Sequence, residues 1–82
     1  MVFNGHNIDL NWSNVFHATR DVTYSVFAGS DSAYGDVINH VTSTTTRFQG
    51  YSPVKVTSHV YVLIKAVYDN GLFELYQDRI SV

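Results

Sequence analysis

The chain has 82 residues, of which 45% are hydrophobic, 15% aromatic and 15% charged, and its formal net charge is −2. This length allows one domain, and the composition excludes a disordered chain. The five basic residues are scattered along the chain, whereas a nucleic-acid-binding protein presents a clustered basic face, so that class is not expected.

The sequence contains no cysteine, which excludes disulfide frameworks, zinc–thiolate sites and thiol nucleophiles. No apolar run is long enough to cross a bilayer, and residues 1–6 lack the pattern of a signal peptide. The chain is therefore either a cytoplasmic protein or one module, residues 1–82, of a longer secreted protein. We favour the module because of the features described below.

Short strands separated by turn residues are predicted along the whole length, and no segment has helical periodicity. In the first predicted strand, residues 8–12, Ile8, Leu10 and Trp12 alternate with polar residues, which places the single tryptophan in the core. Pro53 predicts a loop, because proline cannot donate to a strand ladder. Five further strands are predicted over residues 22–28, 36–41, 44–49, 60–68 and 72–82.

Residues 60–68 form the longest and most apolar predicted strand. Lysine is almost never buried unpaired, so Lys65 marks the solvent side of this strand. The opposite, core side then carries Val60, Val62, Ile64 and Ala66. Asn70 and Gly71 supply two positive-φ positions for a tight hairpin turn, after which the terminal strand returns. Asp78 and Arg79 are expected to keep that terminal strand soluble.

The pattern resembles the fibronectin type III family over roughly residues 8–82. Residues 10–12 (Leu-Asn-Trp) resemble the family's second strand, and residues 24–26 (Tyr-Ser-Val) resemble its third. Residues 51–53 (Tyr-Ser-Pro) and 62–67 (Val-Leu-Ile-Lys-Ala-Val) resemble the step before the sixth strand and the sixth strand itself. Three features depart from the family: Val60 replaces its usual tyrosine, about three extra residues separate Pro53 from the long strand, and only residues 1–7 precede the tryptophan strand.

The resemblance implies an all-β fold, an immunoglobulin-like antiparallel β-sandwich of about seven strands, with the first strand short or missing. It also implies a non-catalytic module of a larger extracellular or cell-surface protein. Such a module spaces other domains, or binds a protein partner or its neighbouring domains, through a sheet face or its end loops. Membrane insertion is not expected.

The outward side of the long strand is the candidate contact surface. Its apolar and aromatic side chains, joined by one from the neighbouring strand, predict a contiguous patch around a lysine, and such patches often mark contact sites. The predicted contact residues are Phe27, Tyr61, Leu63, Lys65 and Val67. Cover by a loop or by the lysine stem is the alternative explanation of this surface.

Residue types that carry catalysis or bind metals are present but do not form a recognisable motif. The four histidines, His6, His17, His40 and His59, are far apart in the sequence, so no shared metal site is expected. Asp31 and Asp36 flank a glycine turn, where aspartate commonly bonds to its own backbone. No nucleophile elbow, phosphate-binding loop or dinucleotide fingerprint occurs. We therefore expect no enzyme activity, no catalytic residues and no cofactor.

Two further surface features are noted. Asn11, in the triplet Asn-Trp-Ser, matches the N-glycosylation pattern, which fits a secreted module but also arises by chance. Tyr34, Tyr51 and Tyr76 offer a rival function, a carbohydrate-binding or accessory module of a secreted hydrolase. Three such rings in one plane would favour that function, whereas scattered rings would not.

Overall fold

The computed structural model describes residues 1–16, 21–31 and 34–81. These residues form six strands in two antiparallel sheets, where the family resemblance implies about seven with the first short or missing. The strands are β1 (Val2–Asn11), β2 (Val22–Gly29), β3 (Ile38–Ser43), β4 (Arg47–Val56), β5 (His59–Tyr68) and β6 (Phe73–Ser81). One sheet has the order β1-β4, and the other has the order β3-β2-β5-β6. Within the described ranges, no helix is long and apolar enough to cross a membrane.

The core lies between the sheets and follows the alternation read from the sequence. Trp12 is 1% exposed, and its ring meets Tyr24 edge-on with centroids 5.6 Å apart. Burying large aromatic rings is effective in so small a core, because each removes much apolar area from water. The predicted inward residues of β5 are fully buried: Val60, Val62, Ile64 and Ala66.

The tryptophan strand is longer than predicted, since β1 already begins at Val2. The pairing of β1 with β4 is irregular between Gly5 and Asn7, and Gly5 has φ +62°. Both Phe3 and Ile8 are buried, although strict alternation would place them on opposite faces. The irregularity resets the alternation, as a β-bulge does. Residues 1–7, expected to hold a short or missing first strand, thus mostly belong to β1.

The predicted loop at Pro53 is wrong, because β4 runs through it. Pro53 lies in the irregular part of the β1–β4 pairing, between Tyr51 and Val56, where a residue without an N–H is tolerated. Two side chains donate hydrogen bonds to backbone carbonyls of this segment. The buried Ser52 hydroxyl donates to the Val54 carbonyl at 2.5 Å, and His6 Nδ1 donates to the Ser52 carbonyl at 2.9 Å.

The hairpin between β5 and β6 forms where predicted, but by a different turn. The Gly71 N–H donates to the Tyr68 carbonyl at 3.0 Å, and the Tyr68 N–H donates to the Leu72 carbonyl at 2.8 Å. Gly71 has φ +86°, whereas Asn70 is not among the positive-φ residues. This is a three-residue turn with a glycine bulge rather than a two-residue turn with two positive-φ positions.

Candidate functional site: the outer face of the four-stranded sheet

The structure brings the five predicted contact residues onto one surface, the face of the four-stranded sheet that points away from the core. Phe27, Tyr61, Leu63, Lys65 and Val67 are all half-buried. Phe27 lies directly opposite Leu63 in the β2–β5 pairing, as expected for adjacent strands. The alternation of β5 therefore separates a fully buried side from a partly exposed one.

Two of the aromatic residues on this surface make ring contacts with histidines. The Phe27 ring stacks on the His40 ring, with centroids 4.9 Å apart and planes 8° apart. His40 lies opposite Phe27 because it continues the regular register of the preceding pair, Val26–Val41; the irregularity of β3 follows it. On β5, near the same end of the sheet, the Tyr61 ring meets the His59 ring edge-on with centroids 5.4 Å apart. The Phe27 and Tyr61 rings thus each have an aromatic neighbour on the sheet.

Two residues of this surface were missed by the sequence analysis. Phe73 lies opposite Val67, and Leu75 lies opposite Lys65, so both belong to the same face of the sheet. Each is 55% exposed. Lys65 leans towards this side, with its Nζ 4.5 Å from the centre of the Phe73 ring, a cation–π contact. We use the name outer strip for seven residues: Phe27, Tyr61, Leu63, Lys65, Val67, Phe73 and Leu75.

The expected alternative, that a loop or the lysine stem covers this surface, holds only at its margin. Tyr34 and Asp36 pack against Gly29, which pairs with Tyr61 at the end of β2. A Cβ added at Gly29 would lie 2.6 Å from the Tyr34 Cα, so no side chain fits there. Lys65 lies beside Phe73 but leaves that ring more than half exposed. Most of the outer strip therefore keeps access to solvent.

Asp36 serves turn geometry, as predicted for this loop. Its carboxylate accepts the Ser30 backbone N–H at 2.8 Å and also the Ser30 hydroxyl. These bonds, the hydroxyl first, hold the pKa of the Asp36 carboxyl below its usual value. The Tyr34 N–H donates to the Asp31 carbonyl at 3.3 Å, so the backbone of Asp31 takes part in the same turn.

The histidines are used individually in the structure. His6 bonds to Ser52, His40 stacks on Phe27, and His59 lies 3.2 Å from the Ser58 hydroxyl and 3.4 Å from Arg79. His17 lies outside the described residues. Within the described ranges, no three histidine or acidic side chains are grouped closely enough to hold a metal ion.

Two surface depressions contain acidic side chains that already have partners. The first, of about 400 Å³, lies over β1 and β4 and includes Asp9, which accepts two bonds from Arg47 at 3.3 and 3.4 Å. The hydrogen bond from Arg47 holds the pKa of Asp9 below its usual value. The second, beside β6, includes Glu74, which accepts the Tyr68 hydroxyl at 2.6 Å. The lowered pKa of Asp9 is the opposite of the raised pKa that a general acid needs.

The three tyrosines proposed for carbohydrate stacking lie on different surfaces. Tyr51 is 80% exposed on the outward side of the two-stranded sheet. Tyr76 lies opposite the buried Ile64 and therefore points to the inner side of the other sheet, where its hydroxyl donates to Asp78 at 2.8 Å. Tyr34 is in the loop between β2 and β3. These positions do not provide the flat platform that sugar stacking would favour.

Asn11 is exposed, as predicted, at the end of β1. Its Oδ1 accepts the Ser13 backbone N–H at 3.0 Å, which closes a local turn over the glycosylation triplet.

No family model, curated protein or solved structure matches this chain. The geometry of the outer strip therefore carries the functional interpretation.

Proposed function

We propose that this chain is a non-catalytic protein-interaction module whose contact surface is the outer strip. The observation that carries the proposal is the continuous row of half-buried and exposed apolar side chains across β2, β5 and β6. A soluble domain rarely leaves such a patch uncovered unless it binds something, and interfaces are enriched in aromatic residues. The neighbouring Lys65 and Arg79 add polar groups of the kind found at interface rims.

The division of strands supports a fibronectin type III-type sandwich for this module. In immunoglobulin-like sandwiches, the second and fifth strands share one sheet, and the third, sixth and seventh share the other. If β1 is the second strand of that scheme, β4 is the fifth, and β2, β5 and β6 are the third, sixth and seventh. The observed sheets, β1-β4 and β3-β2-β5-β6, have this division. Val60, where the family has a tyrosine, remains the main departure.

This fold type supports placement outside the cell or on its surface, within a larger chain. A protein partner or a neighbouring domain is then the natural ligand of the outer strip. Glycosylation of Asn11 tests the location, because the exposed triplet is modified only in the secretory pathway. Secretion from a glycosylating host should add mass that the Asn11→Gln variant lacks. Secreted wild-type protein of unmodified mass would remove this support.

The contact surface is tested with a double variant, Tyr61→Ser with Leu63→Ser. Both side chains face away from the core, so the fold should persist. The wild-type domain is first used to capture binding proteins from an extract of its source, and the captured protein is purified. Calorimetry then measures its affinity for the wild type, for the double variant and for a control, Tyr51→Ser, which changes an exposed ring on the other sheet.

The double variant should bind at least about 30-fold more weakly, since the loss of even one hot-spot side chain costs about 2 kcal/mol or more. The control should bind like the wild type. Unchanged affinity of the double variant, with thermal unfolding showing both variants folded, would show that the outer strip is not the contact surface.

A further inference from the structure

Four strands of the described chain have one unpaired edge each, and three of these edges carry features that discourage further pairing. β1 and β4 share a register irregularity with Gly5 on one side and Pro53 on the other. β3 has six residues and a register irregularity of its own. Proteins use short strands, bulges and proline in this way to prevent edge-to-edge association.

β6 differs from those three strands. It has nine residues, contains no proline or lysine, and pairs with β5 without any irregularity from Phe73 to Ser81. The other side of β6 has no partner strand among the described residues. A long, regular and partly apolar edge is the kind that accepts another strand.

The backbone groups on this free edge follow from the hairpin. Tyr68 and Leu72 are joined by a backbone hydrogen bond of 2.8 Å, and hydrogen-bonded pairs alternate along an antiparallel ladder. The even-numbered residues of β6 therefore bond to β5. The odd-numbered residues direct their N–H and C=O groups to the free edge: Phe73, Leu75, Gln77, Arg79 and Ser81. Phe73 and Leu75 also carry exposed side chains.

We infer that the free edge of β6 pairs antiparallel with β6 of a second copy of this chain. A two-fold axis perpendicular to the sheet would join the two four-stranded sheets into one. The occupant is a second copy because an antiparallel pair of identical strands is self-complementary, with the same surface used on both sides. This inference does not rest on the proposed function, because the pairing is made by the backbone edge of β6, although Phe73 and Leu75 also belong to the outer strip.

The charges of β6 restrict the register of such a pair. An axis at Glu74 or at Asp78 would place that carboxylate opposite its own copy. An axis at Tyr76 would place Glu74 opposite Asp78 of the second copy. Like charges directly opposite each other are destabilising. Near the middle of the strand, the axis then passes through Leu75 or through Gln77.

The apolar side chains favour the axis at Leu75. That register places Leu75 opposite Leu75 of the second copy, with the two Phe73 rings flanking the pair, and it forms about six backbone hydrogen bonds. It covers the two side chains that are 55% exposed in the single chain. An axis at Gln77 would instead place Leu75 opposite Arg79 and leave Phe73 opposite Ser81. We therefore assign Leu75 to the axis.

The test uses the complementary variants Leu75→Glu and Leu75→Lys, with Val2→Glu, an exposed position of β1, as control. Sedimentation across a concentration series reaching the millimolar range should show wild type and control shifting from the 9.3 kDa chain towards a dimer. For each Leu75 variant alone, the dissociation constant of the dimer should be at least about tenfold higher than for the wild type. The reason is that the charge at position 75 lies opposite the same charge of the second copy. An equimolar mixture of the two variants should associate again.

A monomeric wild type at all concentrations would overturn the inference, and tighter self-association of Leu75→Glu would overturn the register.

Hydrogen exchange on the wild type provides a second test that needs no variant. Rising concentration should protect the amides of Phe73, Leu75 and Gln77. Amides already bonded to β5, such as that of Tyr76, should not change. An equal rise in protection for the free-edge amides and for the amides bonded to β5 would contradict pairing at this edge. Because Tyr61 and Leu63 are unchanged in these experiments, failure here leaves the proposed contact surface untouched.

Discussion

The two sides of β5 are the most instructive comparison in this molecule. Ile64 is fully buried, whereas its neighbours Leu63 and Lys65 are half-buried and face outward. Apart from Lys65, residue types hardly distinguish the two sides, since each carries branched aliphatic side chains. What separates them is the second sheet, which covers one side only. The covered side holds the domain together, and the uncovered side is the one that we propose for contact.

Among substitutions that test this difference between the two sides of β5, the largest change in the free energy of unfolding is expected at Ile64. Ile64→Ala should lower the free energy of unfolding by about 2–5 kcal/mol, because it leaves a cavity in a fully buried position. Urea unfolding followed by tryptophan fluorescence measures this, since Trp12 is in the same core.

The matched control is the adjacent residue. Leu63→Ala should change the free energy of unfolding by less than about 1 kcal/mol, because the side chain is already partly exposed. Equal losses at Ile64 and Leu63 would mean that both sides of β5 are covered, which would contradict the exposed outer strip.

Gly29→Ala tests whether the loop between β2 and β3 rests on the end of β2, where it covers one end of the outer face. Its new Cβ would lie 2.6 Å from the Tyr34 Cα and 2.9 Å from an Asp36 carboxylate oxygen. The loop must move away, so we expect a loss of about 1–3 kcal/mol in the same unfolding experiment. A neutral substitution would show that this loop does not rest on β2.

The smallest expected effect concerns the phenol of Tyr68, near the hairpin. The hydrogen bond to Glu74 raises its pKa from 10.0 to about 12. The raised pKa favours the protonated phenol in the folded state. This contribution is therefore fully present below pH 10, where the unfolded phenol is also protonated, and is lost as the pH rises towards about 12.

Tyrosinate absorbance provides the measurement. Subtracting the titration of Tyr68→Phe from that of the wild type should isolate one phenol that ionises near pH 12. In Glu74→Gln the same phenol should ionise at lower pH. If the difference curve has its midpoint at the ordinary pKa of tyrosine, the Tyr68–Glu74 hydrogen bond is absent in solution.

The sequence predicted the core because strand alternation is a strong local signal. Trp12 and the inward residues of β5 are buried as expected, since a single lysine was enough to orient the strand. Glycine and proline were harder to interpret. Pro53 was taken as the sign of a loop, but it lies in a strand where the ladder is irregular, as Gly5 does. Composition alone does not distinguish a bulge from a turn, because both relieve the backbone in the same way.

The outer strip was predicted only on β2 and β5. Phe73 and Leu75 were missed because the polar residues Asp78 and Arg79 made the terminal strand look soluble throughout. The signal that reveals them is cross-strand pairing, which follows from the hairpin and places Phe73 beside Val67. The exact register depends on the turn type, and a three-residue turn was not distinguishable from a two-residue turn in the sequence.

The central claim, that the uncovered face of the four-stranded sheet makes the contact, is tested most directly by an NMR footprint. Isotope-labelled domain is titrated with the protein captured by the wild type, and amide shifts are mapped onto the strands. We predict that the largest changes occur at Phe27, Leu63, Val67 and Phe73, with little change in β1 and β4. Changes concentrated on the outward side of β1 and β4, around Asp9 and Tyr51, would contradict the claim.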